Sequence, residues 1–102
     1  MADFVEAASL DLVPPGKSTT VQVGDKSVAL FNADGTIYAI DDSCPHAGSS
    51  LGAGKLEGGV VTCRSHGMKI DVATGCFAGT TGVAVASYPV KVIDGKILVA
   101  AG

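Results

Sequence analysis

The chain has 102 residues, 47% of them hydrophobic, and a formal net charge of −3. This length fits one domain over residues 1–102 with a true hydrophobic core. Its seven basic residues are scattered, which excludes the clustered basic surface that binds nucleic-acid phosphates. No run approaches the roughly 18 apolar residues of a membrane span, and the acidic N-terminal segment is unlike a signal peptide. We expect a cytoplasmic protein that binds neither nucleic acid nor membrane.

Short runs of alternating apolar and polar residues, separated by turn residues, predict antiparallel strands. The clearest signal is Asp94-Gly95, which predicts a hairpin closed by a type I′ turn because both central residues must adopt positive φ. Pro14-Pro15 separates an edge strand from the rest of the chain, since prolines cannot donate to a ladder. The predicted strands span 4–8, 19–23, 27–31, 36–40, 88–93 and 96–99.

The middle of the chain has a different texture. Residues 41–59 are rich in glycine, serine and other small residues and show little periodicity. Val60–Thr62 predicts a short strand, and further irregular stretches follow at 63–67 and 78–82. No segment carries a persuasive helical apolar stripe. We therefore predict an all-β fold, a small antiparallel β-sandwich with a loop-rich insertion at about 42–79 between its middle strands.

Both histidines and two of the three cysteines fall into this insertion as two short pairs, Cys44-x-His46 and Cys63-x-x-His66. A solitary cysteine or histidine is more often a packing residue, but two such pairs are typical of a metal site. Thiolate and imidazole ligands suit zinc, copper or iron-sulfur chemistry. Structural zinc sites usually group like ligands, whereas each pair here is mixed. The mixture favours a binuclear cluster with two cysteines on one iron and two histidines on the other, and zinc stays open as an alternative.

The two ligand boxes, together with Gly67, the segment 70–75 and the closing segment 88–92, resemble the Rieske domains. The similarity is greatest to the Rieske-type 2Fe-2S ferredoxins of bacterial ring-hydroxylating dioxygenase systems, and residues 34–41 also match. The resemblance implies one Rieske 2Fe-2S cluster. Cys44 and Cys63 would bind the buried iron, and His46 and His66 the outer iron near the surface.

By the same resemblance, the chain would be an electron carrier rather than an enzyme. It would shuttle single electrons from a flavoprotein ferredoxin reductase to a terminal oxygenase in aromatic hydrocarbon catabolism, and a monomer would suit that shuttling. A Rieske oxygenase also needs a mononuclear iron on two histidines and a carboxylate, but both histidines are already used. Two alternatives stay open: a small Rieske-like subunit of a reductase such as nitrite reductase, and a structural zinc-binding module.

The sequence departs from the high-potential members of the family. Ser49 and Ser65 stand where those proteins have two cysteines that form a disulfide. Met68 and Ile70 stand where they have hydroxyl side chains that donate to sulfur. Without these donors, the reduction potential is expected near the low end of the Rieske range, roughly −150 mV.

Three further residues carry expectations. Cys76 matches no ligand position, and we expect it to be a small buried apolar residue in a strand. Tyr38 and Tyr88 are expected in the core, as strand aromatics usually are.

Overall fold

The computed structural model describes residues 4–42, 50–62, 69–76 and 85–100. In these ranges the chain forms ten strands and two short 3-10 helices, at Leu10–Leu12 and Leu51–Ala53. No helix in the same ranges is long and apolar enough to cross a bilayer. The strands are β1 Val5–Ser9, β2 Ser18–Val23, β3 Lys26–Ala33, β4 Thr36–Asp41, β5 Lys55–Glu57, β6 Val60–Thr62, β7 Lys69–Asp71, β8 Ser87–Tyr88, β9 Val90–Ile93 and β10 Lys96–Val99.

The strands form three antiparallel sheets, which confirms the predicted all-β class. The central sheet has the order β2-β3-β4-β8, the outer sheet β1-β10-β9, and the small sheet β5-β6-β7. In the chain the small sheet lies between β4 and β8, which are neighbours in the central sheet. The predicted insertion between middle strands is therefore confirmed.

Strand β3 of the central sheet is buried on both faces. All four residues of β3 from Val28 to Phe31 are fully buried. Because side chains alternate across a strand, Ala29 and Phe31 join one core and Val28 and Leu30 the other. The first core, under the small sheet, also contains Ile40, Leu51, Val61, Ile70, Val72 and Val85. The second, under the outer sheet, also contains Ala8, Val13, Val23, Ile37, Ala39, Ile97 and Val99.

Two hairpins close on Asp-Gly turns. Asp94 and Gly95 have φ of 52° and 75°, which confirms the type I′ turn predicted from the sequence. The turn between β3 and β4 uses only Asp34 and Gly35, with φ of 54° and 94°. Strand β3 is thus longer than predicted and runs through Ala33.

The prediction of one strand over 88–93 was wrong. Pro89 has no N–H to give to a ladder, and the chain changes sheets there. Strand β8 pairs with β4 of the central sheet, while β9 pairs with β10 of the outer sheet. Strand β5 lies in a stretch predicted to be irregular, because three residues are too few to show alternation.

Cys76 is exposed, so the prediction of a buried residue was wrong. It lies just after the turn that follows β7, where its carbonyl accepts a hydrogen bond from Asp71 N (2.9 Å). The two tyrosines are half-buried rather than fully in the core. Tyr38 packs against the first core, and Tyr88, on the two-residue edge strand β8, packs against the second.

Candidate metal centre

The four predicted ligands lie outside the described residues, Cys44 and His46 within 43–49 and Cys63 and His66 within 63–68. The predicted irregular stretch at 78–82 also lies outside them, within 77–84. The described residues show where the chain enters and leaves these three segments. Two mixed ligand pairs can serve one metal group only if their segments start and end close together.

Segment 43–49 is flanked by Asp42 and Ser50, whose side chains are hydrogen-bonded to each other. Ser50 Oγ donates to Asp42 Oδ1 at 2.9 Å. The backbone N–H of Leu51 donates to the Asp42 carbonyl at 2.6 Å. Asp42 is itself held at the end of β4, since its N–H donates to the Ser27 carbonyl (3.1 Å). The base of this segment is therefore closed by main-chain and side-chain bonds together.

Asp42 is 8% exposed, and its side chain accepts hydrogen bonds from three donors on one oxygen. Besides Ser50, Oδ1 accepts from Thr20 Oγ1 at 3.0 Å and from Gly52 N at 2.8 Å. Ser18 Oγ adds a bond to the Gly52 carbonyl (2.8 Å). We call Ser18, Thr20, Asp42, Ser50 and Gly52 the Asp42 clamp. It joins β2, the end of β4 and the second 3-10 helix.

Glycine at position 52 is required by this packing. A Cβ there would collide with Thr20 Oγ1 and approach Asp42 Oδ1 and the Thr19 carbonyl to 3.1 Å each. Any larger residue would push apart the groups that close the base.

The segment 63–68 starts and ends on neighbouring strands. Thr62 of β6 stands opposite Lys69 of β7, and Val61 stands opposite Ile70. Antiparallel neighbours lie about 5 Å apart, so the two ends of this segment are as close as those of a hairpin loop. Val61 and Ile70 are fully buried in the first core and fix the register.

A short link joins the two bases. The second 3-10 helix follows Ser50, and β5 begins at Lys55, which pairs with Thr62. Five residues span at most about 17 Å, and helical residues shorten that reach. Fully buried Leu51 anchors the link in the same core as Val61, and a Cβ on Gly54 would collide with the Thr62 carbonyl. Segments 43–49 and 63–68 therefore leave the same end of the molecule.

The third segment, 77–84, begins and ends at this end as well. Val85 N donates to the Gly75 carbonyl at 2.8 Å, and Asp41 N donates to the Ala86 carbonyl at 2.8 Å. Gly75 has φ of 79°, and a Cβ on it would collide with the Val85 carbonyl. The described residues thus meet the condition for two ligand pairs on separate loops to share one metal group.

Charged side chains border the same end. Two exposed lysines, Lys55 and Lys69, flank Thr62 in register across the small sheet. Lys55 Nζ lies 3.5 Å from Glu57 Oε1, but this largely solvated pair contributes little to stability. The two lysines are therefore solvated positive charges at the edge of the end from which segments 43–49 and 63–68 leave.

Tyr88 lies on β8, which pairs with β4. Burial, and then the negative charge of Asp41, raise the pKa of Tyr88 above its usual value of 10.0. Its phenol therefore stays neutral at physiological pH.

The sequence predicts the two ligand pairs, but it did not predict the clamp. Asp42 lies two residues before Cys44 in the sequence, and it accepts the hydrogen bonds that close the base of segment 43–49. The partners Ser18 and Thr20 lie on β2, far from Asp42 in sequence. Nothing in the chain's local pattern marks those two hydroxyls as partners in that network.

The family model of the Rieske [2Fe-2S] domain matches residues 3–89 of this chain. The chain belongs to this family, as the two ligand boxes predicted. Its cofactor is accordingly a Rieske-type 2Fe-2S cluster.

Two curated relatives show what kind of member it resembles. The chain is 34% identical over 99 residues to the ferredoxin component of the naphthalene 1,2-dioxygenase/salicylate 5-hydroxylase systems of Ralstonia sp., covering 94% of this chain and 93% of the relative. It is 44% identical over 73 residues to the biphenyl dioxygenase ferredoxin subunit of Pseudomonas sp. strain KKS102, covering 71% and 67%. The predicted class, a Rieske-type ferredoxin of dioxygenase systems, is confirmed.

Solved structures show the same fold. The ferredoxin of carbazole 1,9a-dioxygenase from Nocardioides aromaticivorans IC177 has a TM-score of 0.88 at 31% identity, covering 97% of this chain and 98% of that one. A complex of reduced oxygenase and oxidized ferredoxin in carbazole 1,9a-dioxygenase gives 0.85 at 30%, covering 95% and 92%. A putative NADH-dependent nitrite reductase small subunit from Mycobacterium tuberculosis gives 0.88 at 25%, covering 97% and 95%.

Proposed function

We propose that this chain is the ferredoxin component of a multicomponent oxygenase system that acts on aromatic compounds. It takes single electrons from a flavoprotein reductase and delivers them to a terminal oxygenase, and it catalyses no reaction on the organic substrate. The observation that carries this proposal is similarity along nearly the whole chain to proteins named as ferredoxin components. The carbazole dioxygenase complex shows that such a ferredoxin binds an oxygenase.

We propose that Cys44, His46, Cys63 and His66 bind the cluster, the cysteines on one iron and the histidines on the other. When bound, the cluster supplies a site that gains and loses one electron, at a potential above that of all-cysteine plant-type clusters. The mixed donor set of the two pairs and the shared origin of their segments support this assignment.

The described residues position the ligand-bearing segments and supply buried apolar residues beneath them. The Asp42 clamp holds both ends of the first ligand-bearing segment, and the β6–β7 pair holds both ends of the second. Beneath these bases lie Leu51, Val61 and Ile70, all fully buried. A rigid base keeps the ligands in place in both charge states, so little protein reorganisation accompanies each electron transfer.

The proposal extends to the surroundings of the protein. The end of the molecule from which the ligand-bearing segments leave is the docking face, because electrons would travel the shortest distance there. We assign residues 1–102 to a single domain, with a cluster-binding insertion at about 42–79, and place it in the cytoplasm as a monomer. Sedimentation and cell fractionation test the last two assignments.

A second function is favoured by one observation. The putative nitrite reductase small subunit shares the fold over almost its whole length. A subunit of that kind would stay bound to a larger reductase chain rather than exchange between partners.

Stopped-flow mixing separates these two functions. Reduced protein, mixed with a purified terminal oxygenase from the same cells, should lose its reduced-cluster signal within one turnover and leave the mixture as a free species on gel filtration. Co-elution with a reductase chain in fixed ratio, without electron transfer to an oxygenase, would favour the subunit. A colourless protein with bound zinc would leave the structural zinc module as the function.

A further inference from the structure

We propose that Asp42 is a positioning residue for the cluster. Its carboxylate sets the geometry of the first ligand-bearing segment and thereby the ligand field and retention of the cluster. This inference rests on the proposed function, since it requires Cys44 and His46 to be ligands.

One oxygen of the Asp42 carboxylate takes three donors from two parts of the fold, strand β2 and the second 3-10 helix with its N-cap Ser50. Oδ1 accepts at 3.0 Å from Thr20, at 2.9 Å from Ser50 and at 2.8 Å from Gly52. The two hydroxyls also lie 3.2 Å from each other, but each has a single hydrogen and the carboxylate is the stronger acceptor. If the carboxylate were removed, all three donors would lose this acceptor at a nearly buried position.

These bonds act at the two ends of the first ligand-bearing segment. Asp42 is the last described residue before the segment that contains Cys44, and Ser50 is the first described residue after it. The bond between their side chains therefore fixes those ends relative to each other. A fixed base removes conformational freedom that the segment would otherwise lose when its ligands bind metal.

The clamp is anchored to rigid structure. Thr20 lies in the middle of β2, which is paired with β3 along six residues. Gly52 belongs to the 3-10 helix whose Leu51 is fully buried in the first core. A displacement of Asp42 is thus passed to the ligand-bearing segment instead of being absorbed by a soft surface loop.

The chain offers a matched control. Asn32 is the other buried polar residue in the described ranges, 4% exposed, and it also holds a chain reversal together. Its Nδ2 donates to the Val13 carbonyl, and its Oδ1 accepts from Gly35 N, each at 2.8 Å. It lies at the opposite end of β3, near the turn to β4. Its loss should lower stability without affecting the cluster.

The experiment compares cluster-loaded parent protein with Asp42→Ala, Asp42→Asn and Asn32→Ala. Three quantities are measured: the rate of bleaching in excess iron chelator, the electron paramagnetic resonance spectrum after reduction, and the urea midpoint. Asp42→Ala should bleach at least tenfold faster and give broadened or shifted g values. Asp42→Asn, which keeps an acceptor oxygen in place, should recover most of the parental behaviour. Asn32→Ala should lower the urea midpoint while its bleaching rate and spectrum stay parental.

Asp42→Ala with a parental spectrum and bleaching rate would overturn the proposal, and so would equal acceleration by Asn32→Ala. If Asp42→Ala cannot be loaded, Ser50→Ala decides, because it removes one donor and keeps the carboxylate. It should bleach severalfold faster than the parent, and a parental rate would reject the proposal. A parent protein that holds no iron-sulfur cluster would instead refute the proposed function, so the two failures are distinguishable.

Discussion

The two ends of strands β3 and β4 are built on different principles. At one end Asn32 and the Asp34-Gly35 turn reverse the chain within a few residues. At the other end Asp42 binds Thr20, Ser50 and Gly52, which lie 22, 8 and 10 residues away. The turn at the first end is encoded locally, although Asn32 also donates to the Val13 carbonyl 19 residues away, and this end has a simple structural task. The second is assembled from distant segments, and from it the chain leaves toward both predicted ligand pairs.

The difference shows how the fold separates stability from function. The outer sheet and the central sheet enclose the second core, which contains none of the residues that border the segments 43–49 and 63–68. The small sheet, the Asp42 clamp and Leu51 form a platform whose purpose is the segments it supports. The following substitutions compare this platform with the rest of the molecule.

The largest expected effect is all-or-none. Cys44→Ser should abolish cluster binding, because serine lacks the thiolate that iron-sulfur clusters require. The control is Cys76→Ser, since Cys76 is exposed and matches no ligand position. Iron and sulfide analysis with an absorption spectrum measures the outcome. A fully loaded Cys44→Ser protein, or a colourless Cys76→Ser protein, would contradict the assignment.

Core truncations come next. Leu51→Ala and Ile97→Ala each remove a fully buried side chain, one from each core, and each should cost about 2–5 kcal/mol in the free energy of unfolding. Only Leu51→Ala should also speed the loss of the cluster to a chelator, because Leu51 is part of the platform. Urea titration and bleaching kinetics on the same samples give the two numbers. Equal bleaching in both variants would erase the distinction between the two regions.

Glycine substitutions give a smaller effect. In Gly52→Ala the new Cβ collides with Thr20 Oγ1 in the clamp, and overpacking of this kind costs about 1–3 kcal/mol. Gly58 lies in the open turn of the small sheet with φ of 56°, and a Cβ added there would meet nothing within 4 Å. Gly58→Ala should therefore lose only the cost of its positive φ, about 1–2 kcal/mol, and retain the parental bleaching rate. Faster bleaching in Gly58→Ala than in Gly52→Ala would show that the clamp is not the sensitive point.

The smallest effect is expected at the far turn. Asp94→Asn replaces one favoured type I′ residue by another, so the free energy of unfolding should change by less than about 0.5 kcal/mol. Absorption of the cluster should not change. Loss of colour in this variant would mean that the outer sheet influences the cluster.

How far the sequence predicts this molecule follows the same division. Alternating strands and Asp-Gly turns depend on neighbouring residues, so the hairpins were predictable. For the hairpin at Asp94-Gly95, the turn type was predictable as well. The family was predictable because few other patterns place cysteine and histidine together in two such pairs; the assignment of the four ligands stays a prediction. Strand β5 and the clamp were not, since three-residue strands carry no period and the partners of Asp42 are distant. The sheet change at Pro89 was also missed, although the proline itself was the signal.

Cys76 shows the same limit on a single residue. Its small apolar character predicted burial, but the turn after β7 places it on the surface. Hydrophobicity of one residue is weak evidence when the surrounding strand is short.

Mixed cysteine and histidine ligation of the cluster is tested best by the electron paramagnetic resonance spectrum of the dithionite-reduced protein, recorded after an absorption scan. We predict a red-brown protein and a rhombic signal whose average g lies below that of an all-cysteine 2Fe-2S cluster. A colourless protein with zinc or no metal, or a signal with the average g of all-cysteine ligation, would contradict the assignment of Cys44, His46, Cys63 and His66.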